Sequence, residues 1–208
     1  LKNSEHEQNN DYNVSDVNEF ENNNYLEHKD NQSFINKSNN PIELEDFENL
    51  MLQKDIVVLD SRCTKIIYKG FIPGSITIGL DMTFAVWAAT LIKPNTKIIL
   101  VTEAGKEEES ISRLGRVSFT NILGYLKGGF EGWVSAQKPI WTLSNYKINQ
   151  RISELEAGKD YILDIRKLNE LKTTGVLKNT KHIPLEQIEE RSEELPKEQP
   201  IHMLCRTG

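Results

Sequence analysis

The stretch "TKIILVTEAG" at residues 96–105 is an apolar run that breaks into a short polar loop closed by glycine, and "PIHMLCRTG" at residues 200–208 has the same shape. Aligned without a gap, the two place Cys205 on Thr102, Arg206 on Glu103 and Gly208 on Gly105. Other segments repeat at nearly the same distance. "YILDIR" (161–166) echoes "VVLDSR" (57–62), and "GVLKNTKHIPL" (175–185) echoes "GFIPGSITIGL" (70–80). The offsets stay between 103 and 105 residues, so the chain reads as a tandem duplication of one structural unit.

Working outward, short apolar strands alternate with helical segments. "IVVLD" (56–60), "ITIGL" (76–80), "KIILV" (97–101) and "NILGY" (121–125) have strand length and β-branched content, with "FIPGS" (71–75) as a turn. Between them, "DMTFAVWAATLI" (81–92) and the segment after "EAGKEEESISRLGRV" read as helices, and "PIELEDFENLM" places Leu44, Phe47, Leu50 and Met51 at helical spacing. Strands separated by helical crossovers imply a mostly parallel sheet covered on both faces, hence an α/β fold. Residues 1–40, rich in Asn, Asp and Glu, bury too little apolar surface to offset the entropy of ordering and are expected to be a disordered tail or linker. The expected organisation is therefore 1–40 linker, 41–145 first unit, and 148–208 a second, incomplete unit.

Composition narrows the function classes. A net charge of −6 without Lys/Arg clusters argues against nucleic acid or an anionic membrane as partner. No apolar run reaches the roughly 18–20 residues of a membrane span, and "LKNSEHEQNN" lacks the pattern of a secretory signal. Cys63 and Cys205 stand far apart, in neither a disulfide framework nor a zinc-ligand spacing, so a reducing cytoplasm is the default compartment. No cofactor or metal is expected.

Several of these segments together resemble the rhodanese-like sulfurtransferase domains. "LDSR", "GFIPGSITIGL" and "GYLKGGFEGW" look like the signature regions of that family, and "LDIR", "HIPL" and "CRTG" like its catalytically competent form. The run "GFIPGSITIGLDMTFAVWAATLI" with "LVTEAGKEEE" is similar to the first of two rhodanese domains that follow an iron-dependent metallo-β-lactamase-fold domain in bacterial persulfide dioxygenase fusions. This sequence has no H-x-H-x-D-H motif; His6, His28, His182 and His202 are scattered, so the dioxygenase activity is not carried over. The resemblance implies small sulfur-containing anions or persulfides as partners, with a persulfide dioxygenase domain in cis or in trans.

The chemistry expected of "CRTG" follows from position. A cysteine at the C-terminal end of a parallel strand stands where such sheets place ligands, and a loop wrapped around it before a helix turns backbone N–H groups toward the sulfur. Those donors favour thiolate over thiol. Cys205 is thus the candidate nucleophile, set against the plainer reading of a buried strand cysteine, and Arg206, Thr207 and Gly208 begin the anion-holding loop. Gly208 suits a position of positive φ. The family's loop runs two residues beyond Gly208 and leads into a helix, so the sequence reads as a fragment whose own activity is expected to be slight. Cys63, with no glycine-rich loop after it, reads as an incidental thiol.

Asp60/Arg62 and Asp164/Arg166 recur just past a strand in both repeats and read as structural support. Trp133 is expected to pack the end of the first unit. The first loop reads as a degenerate site: Thr102 cannot hold a persulfide, Gly105 keeps the loop's glycine, and Glu103, Glu107, Glu108 and Glu109 oppose an anion. Three function classes stay open: a sulfurtransferase acting through Cys205, a Cys-loop phosphatase or arsenate reductase, and a non-catalytic interaction or regulatory module.

Overall fold

The computed structural model describes residues 31–150, 152–158 and 160–206. The chain divides into two compact units, the first ending at Leu143 and the second beginning at Ser144.

The first unit is a five-stranded parallel sheet. Its strands are β1 (Pro41–Ile42), β2 (Ile56–Asp60), β3 (Ile76–Thr77), β4 (Lys97–Val101) and β5 (Ile122–Leu126), in the order β1-β5-β4-β2-β3. Its helices are α1 (residues 31–38), α2 (Leu44–Met51), α3 (Thr64–Ile67), α4 (Phe84–Leu91), α5 (Glu107–Gly115) and α6 (Gly129–Ser135).

Side chains of a strand alternate between faces, and both faces here are apolar. Leu59, Ile98 and Leu100 join Ile35 of α1, Phe84 and Ala88 of α4, and Ile111 and Leu114 of α5 in one core. Val58, Ile99 and Val101 join Phe47 of α2, Ile72 and Trp133 of α6 in the other. Trp133 is buried edge-on to Phe47 and donates its indole N–H to the Pro139 carbonyl at 2.8 Å. It packs the end of the unit as the sequence suggested.

Two features differ from the sequence reading. The linker expected over residues 1–40 does not hold for residues 31–38, which are helical, with Ile35 buried in the first core. Two apolar side chains in a polar segment suffice once a ready apolar surface receives them. Residues 1–30 lie outside the described part of the chain. Then Pro41 and Ile42, ahead of α2, form β1, a strand the sequence did not indicate, which extends the sheet beyond β5. Gly124 makes room for that strand: its φ is +148°, and a Cβ there would stand 2.2 Å from the Asn40 carbonyl oxygen.

The second unit holds a three-stranded parallel sheet of β6 (Tyr161–Asp164), β7 (Thr180–His182) and β8 (Ile201–Leu204), in the order β7-β6-β8. Around it lie α7 (Ile152–Glu156), α8 (Leu168–Thr174) and α9 (Ile188–Arg191). The arrangement of β7-β6-β8 matches that of β3-β2-β4. Asp60 aligns with Thr77 and Val101, and Asp164 aligns with His182 and Leu204.

Candidate active site

Parallel pairing brings the C-terminal ends of β6 and β8 side by side, and the Ile165 N–H donates to the Leu204 carbonyl at 3.0 Å. Cys205, the residue after Leu204, is therefore delivered to the sheet edge, where it is half-buried.

Beside it Asp164, with no exposure, receives a fork from Arg166: Nε at 2.9 Å from Oδ1 and Nη2 at 2.6 Å from Oδ2, with the Arg166 backbone N–H at 3.1 Å from Oδ1. The guanidinium continues to Thr174 Oγ1 at 2.7 Å and to the Gly175 carbonyl at 3.1 Å, while the His182 Nε2 hydrogen-bonds the Arg166 carbonyl at 2.8 Å. One arginine thus ties the end of β6 to the end of α8. Burial pushes the Asp164 carboxyl up, but the hydrogen bonds and charge of Arg166 outweigh it and hold the group below the ordinary carboxylate value. The stability this pair gives the second unit is complete above that ordinary value and is lost as pH falls through the lowered one.

The corner encloses a cleft of about 750 Å³ whose lining includes Ile152, Arg166, Glu170, Thr174, Cys205 and Arg206. The structure brings Cys205, Arg206 and Arg166 together and sets Asp164 beneath them. Thr207 and Gly208, the other expected loop residues, lie outside the described part of the chain. Glu170 and Thr174 were not singled out from sequence. A signal for Glu170 was available: it stands at the third position of α8 and accepts the backbone N–H of Lys167, as a helix-capping glutamate does.

In the first unit Thr102 follows β4 as Cys205 follows β8, and it is only 2% exposed. Its hydroxyl donates to Glu107 Oε1 at 3.3 Å. Glu103 Oε1 accepts the backbone N–H of Cys63 at 2.8 Å. Asp81 accepts the Thr64 N–H at 3.1 Å, the Thr64 hydroxyl at 2.8 Å and the Cys63 thiol at 3.3 Å, and the Thr64 hydrogen bonds hold its carboxyl below the ordinary range. Donors that could serve a bound anion are thus already bonded to the chain's own carboxylates. Gly105 takes a φ of +79° with no neighbour crowding a Cβ, so the backbone conformation is its requirement.

The four glutamates expected to oppose an anion do not act alike. Glu103 accepts from Cys63 and Glu107 from Thr102, whereas Glu108 accepts from Asn39 and Glu109 is neutralised by Lys106 and Arg113. Cys63, read as incidental, donates its thiol to Asp81 and its backbone N–H to Glu103. The Asp60–Arg62 fork repeats the geometry of the second unit, with Nε at 2.9 Å and Nη2 at 2.6 Å. Arg62 also reaches the Gly70 carbonyl at 2.8 Å and stacks 3.8 Å from the Phe130 ring centroid.

Replacing Thr102 with cysteine should therefore give little sulfur uptake, below about one hundredth of the rate at Cys205, because Glu103 and Glu107 keep the local donors and the local charge negative. Single-turnover loading of the T102C protein measured by mass spectrometry checks this. Loading at a rate near that of Cys205 would contradict it.

Comparison with known proteins relates part of the chain to one family. Residues 43–136 match the sequence model of the rhodanese-like domain. The match lies within the first unit and stops before the unit that holds Cys205. No curated protein matches the chain. Among solved structures, it is similar to a rhodanese-related protein from Thermoplasma volcanium, at 21% identity over 49% of this chain and 96% of that one, with a TM-score of 0.40. A rhodanese-like domain from Anabaena sp. is 17% identical over 51% of this chain and 89% of that one, with a TM-score of 0.42. A thiosulfate sulfurtransferase from Pseudomonas aeruginosa is 16% identical over 86% of this chain and 41% of that one, with a TM-score of 0.40.

Among the described residues no group of three or more His, Cys, Asp or Glu side chains could hold a metal ion. Among them, too, no helix is long and apolar enough to cross a membrane.

Proposed function

We propose that the protein is a sulfurtransferase of two rhodanese-like units, in which the second acts through Cys205 and the first is catalytically silent. The observation that supports this most is the position of Cys205, at the end of a parallel strand, beside a buried Asp–Arg fork and open to a cleft. The Cys205 thiolate attacks the outer sulfur of a sulfane donor. A new S–S bond forms to Cys205 as the donor's S–S bond breaks, leaving sulfite from thiosulfate or a thiolate from an organic persulfide. A nucleophilic acceptor then attacks the terminal sulfur of the Cys205 persulfide and takes it, restoring the thiolate. Charge is conserved in both steps and no oxidant, metal or cofactor takes part.

In this reading the backbone amides of Arg206, Thr207 and Gly208 begin the loop that holds the donor anion, and Asp164 with Arg166 keeps the strand ends in place. The matched strand arrangement of the two units supports the tandem organisation. A persulfide dioxygenase, in cis or in trans, is a fitting partner, since it would share persulfide substrates, and the cytoplasm is the proposed compartment.

The test is direct. Incubated with thiosulfate or a low-molecular-weight persulfide, the full-length protein should gain about 32 Da, one sulfur atom, on the Cys205 peptide and not on the Cys63 peptide. A protein that takes up no sulfur, or takes it at Cys63 alone, would remove the basis for the proposal.

A further inference from the structure

The cleft beside Cys205 contains a carboxylate that the sulfur-transfer scheme does not use. We infer that Glu170 is a specificity-determining residue, which disfavours compact dianionic donors such as thiosulfate relative to singly charged sulfane donors; the inference rests on the sulfurtransferase reading of Cys205.

Glu170 is the anchored member of its ion pair. Its Oε2 accepts the Lys167 N–H at 2.9 Å at the start of α8, and its backbone carbonyl accepts from Thr174 Oγ1 at 2.8 Å. Its Oε1 lies 3.8 Å from Arg206 Nη1. The Arg206 side chain is 80% exposed and that of Glu170 24%, so the carboxylate is held by the fold and the arginine comes to it.

The charges lining the cleft are few. Arg166 is bound to the buried Asp164, and among the described lining residues Arg206 is the other cation. Glu170 offsets that cation. The other described residues of the lining, including Ile152, Thr174 and Val176, are uncharged. A donor entering here meets a paired arginine and a fixed negative charge, and the repulsion from that charge scales with the donor's own charge. Thiosulfate, with two negative charges, is opposed about twice as strongly as an organic persulfide such as cysteine persulfide, with a net charge near −1.

Replacing Glu170 with glutamine removes the charge and keeps a side-chain oxygen for the Lys167 N–H. At an effective dielectric of about 20, removing one charge several ångströms away should change the preference by about tenfold. E170Q should therefore raise kcat/KM for thiosulfate relative to cysteine persulfide by about that factor, and the gain should shrink at high salt. Glu170→Ala, which also loses the helix cap, should shift the same ratio while lowering the unfolding temperature, separating charge from structural support. An unchanged donor ratio in E170Q, or an equal change for both donors, would overturn the inference.

Sulfate provides a second measurement that needs no transfer. As an unreactive dianion it should protect Cys205 from alkylation by iodoacetamide, half-protecting E170Q at about one hundredth of the concentration needed by the unsubstituted protein, since the tenfold per unit of ligand charge applies twice. Unaltered protection overturns the role of Glu170. Absent sulfur uptake by both proteins, alongside altered sulfate protection, would instead count against the sulfurtransferase reading alone.

Discussion

Cys205→Ser in the full-length protein should lower sulfur transfer by at least about a thousandfold, because a serine hydroxyl carries almost no anion at neutral pH and its oxygen cannot form the persulfide on which the two-step scheme depends. The loss should fall on kcat and kcat/KM together, and steady-state assays with thiosulfate or an organic persulfide as donor measure it. Cys63→Ser should leave both parameters unchanged: the Cys63 thiol donates to Asp81 and its backbone N–H to Glu103, so the residue stands in the first unit's carboxylate cluster and apart from the Cys205 loop. Undiminished transfer by the Cys205 variant would move the chemistry to another residue.

Arg62→Ala should destabilise the first unit by about 3–5 kcal/mol, a large share of the roughly 5–15 kcal/mol that holds a typical domain together. Asp60 and Arg62 are 0% and 2% exposed, so removing the guanidinium leaves a buried carboxylate without its counter-charge and the Gly70 carbonyl without its donor. The Phe130 ring also loses the planar group stacked on it. Urea unfolding followed by circular dichroism measures the cost. A change below about 1 kcal/mol would mean that the pair does little more than an exposed one.

The two substitutions probe different depths of legibility. Cys205 and the Asp–Arg pairs could be read from the chain because they lie on the strand-to-loop pattern that repeats along it, and strand ends carry their neighbours to a predictable edge. The strands from Ile56 to Asp60 and from Lys97 to Val101 fall where the apolar runs placed them. Their alternating side chains divide between two cores, as a doubly covered sheet requires. Residues 31–38 could not be read this way. Their Phe34 and Ile35 are too few to predict burial, and only the surface offered by α5 and the sheet makes the helix worth ordering.

By itself the sequence determined the α/β alternation, the repeated strand-to-loop segments and the placing of a cysteine in one loop and a threonine in the other. These depend on local periodicity and on residue type, which the chain states directly. The tertiary structure decided which charges meet. Glu103 bonds to Cys63 across forty residues of sequence, and Glu107, not Glu108 or Glu109, turns to Thr102. Glu170 comes to face Arg206 from another element. Such meetings depend on strand order and on the rotation of each helix about its axis, which packing fixes and which no local pattern records.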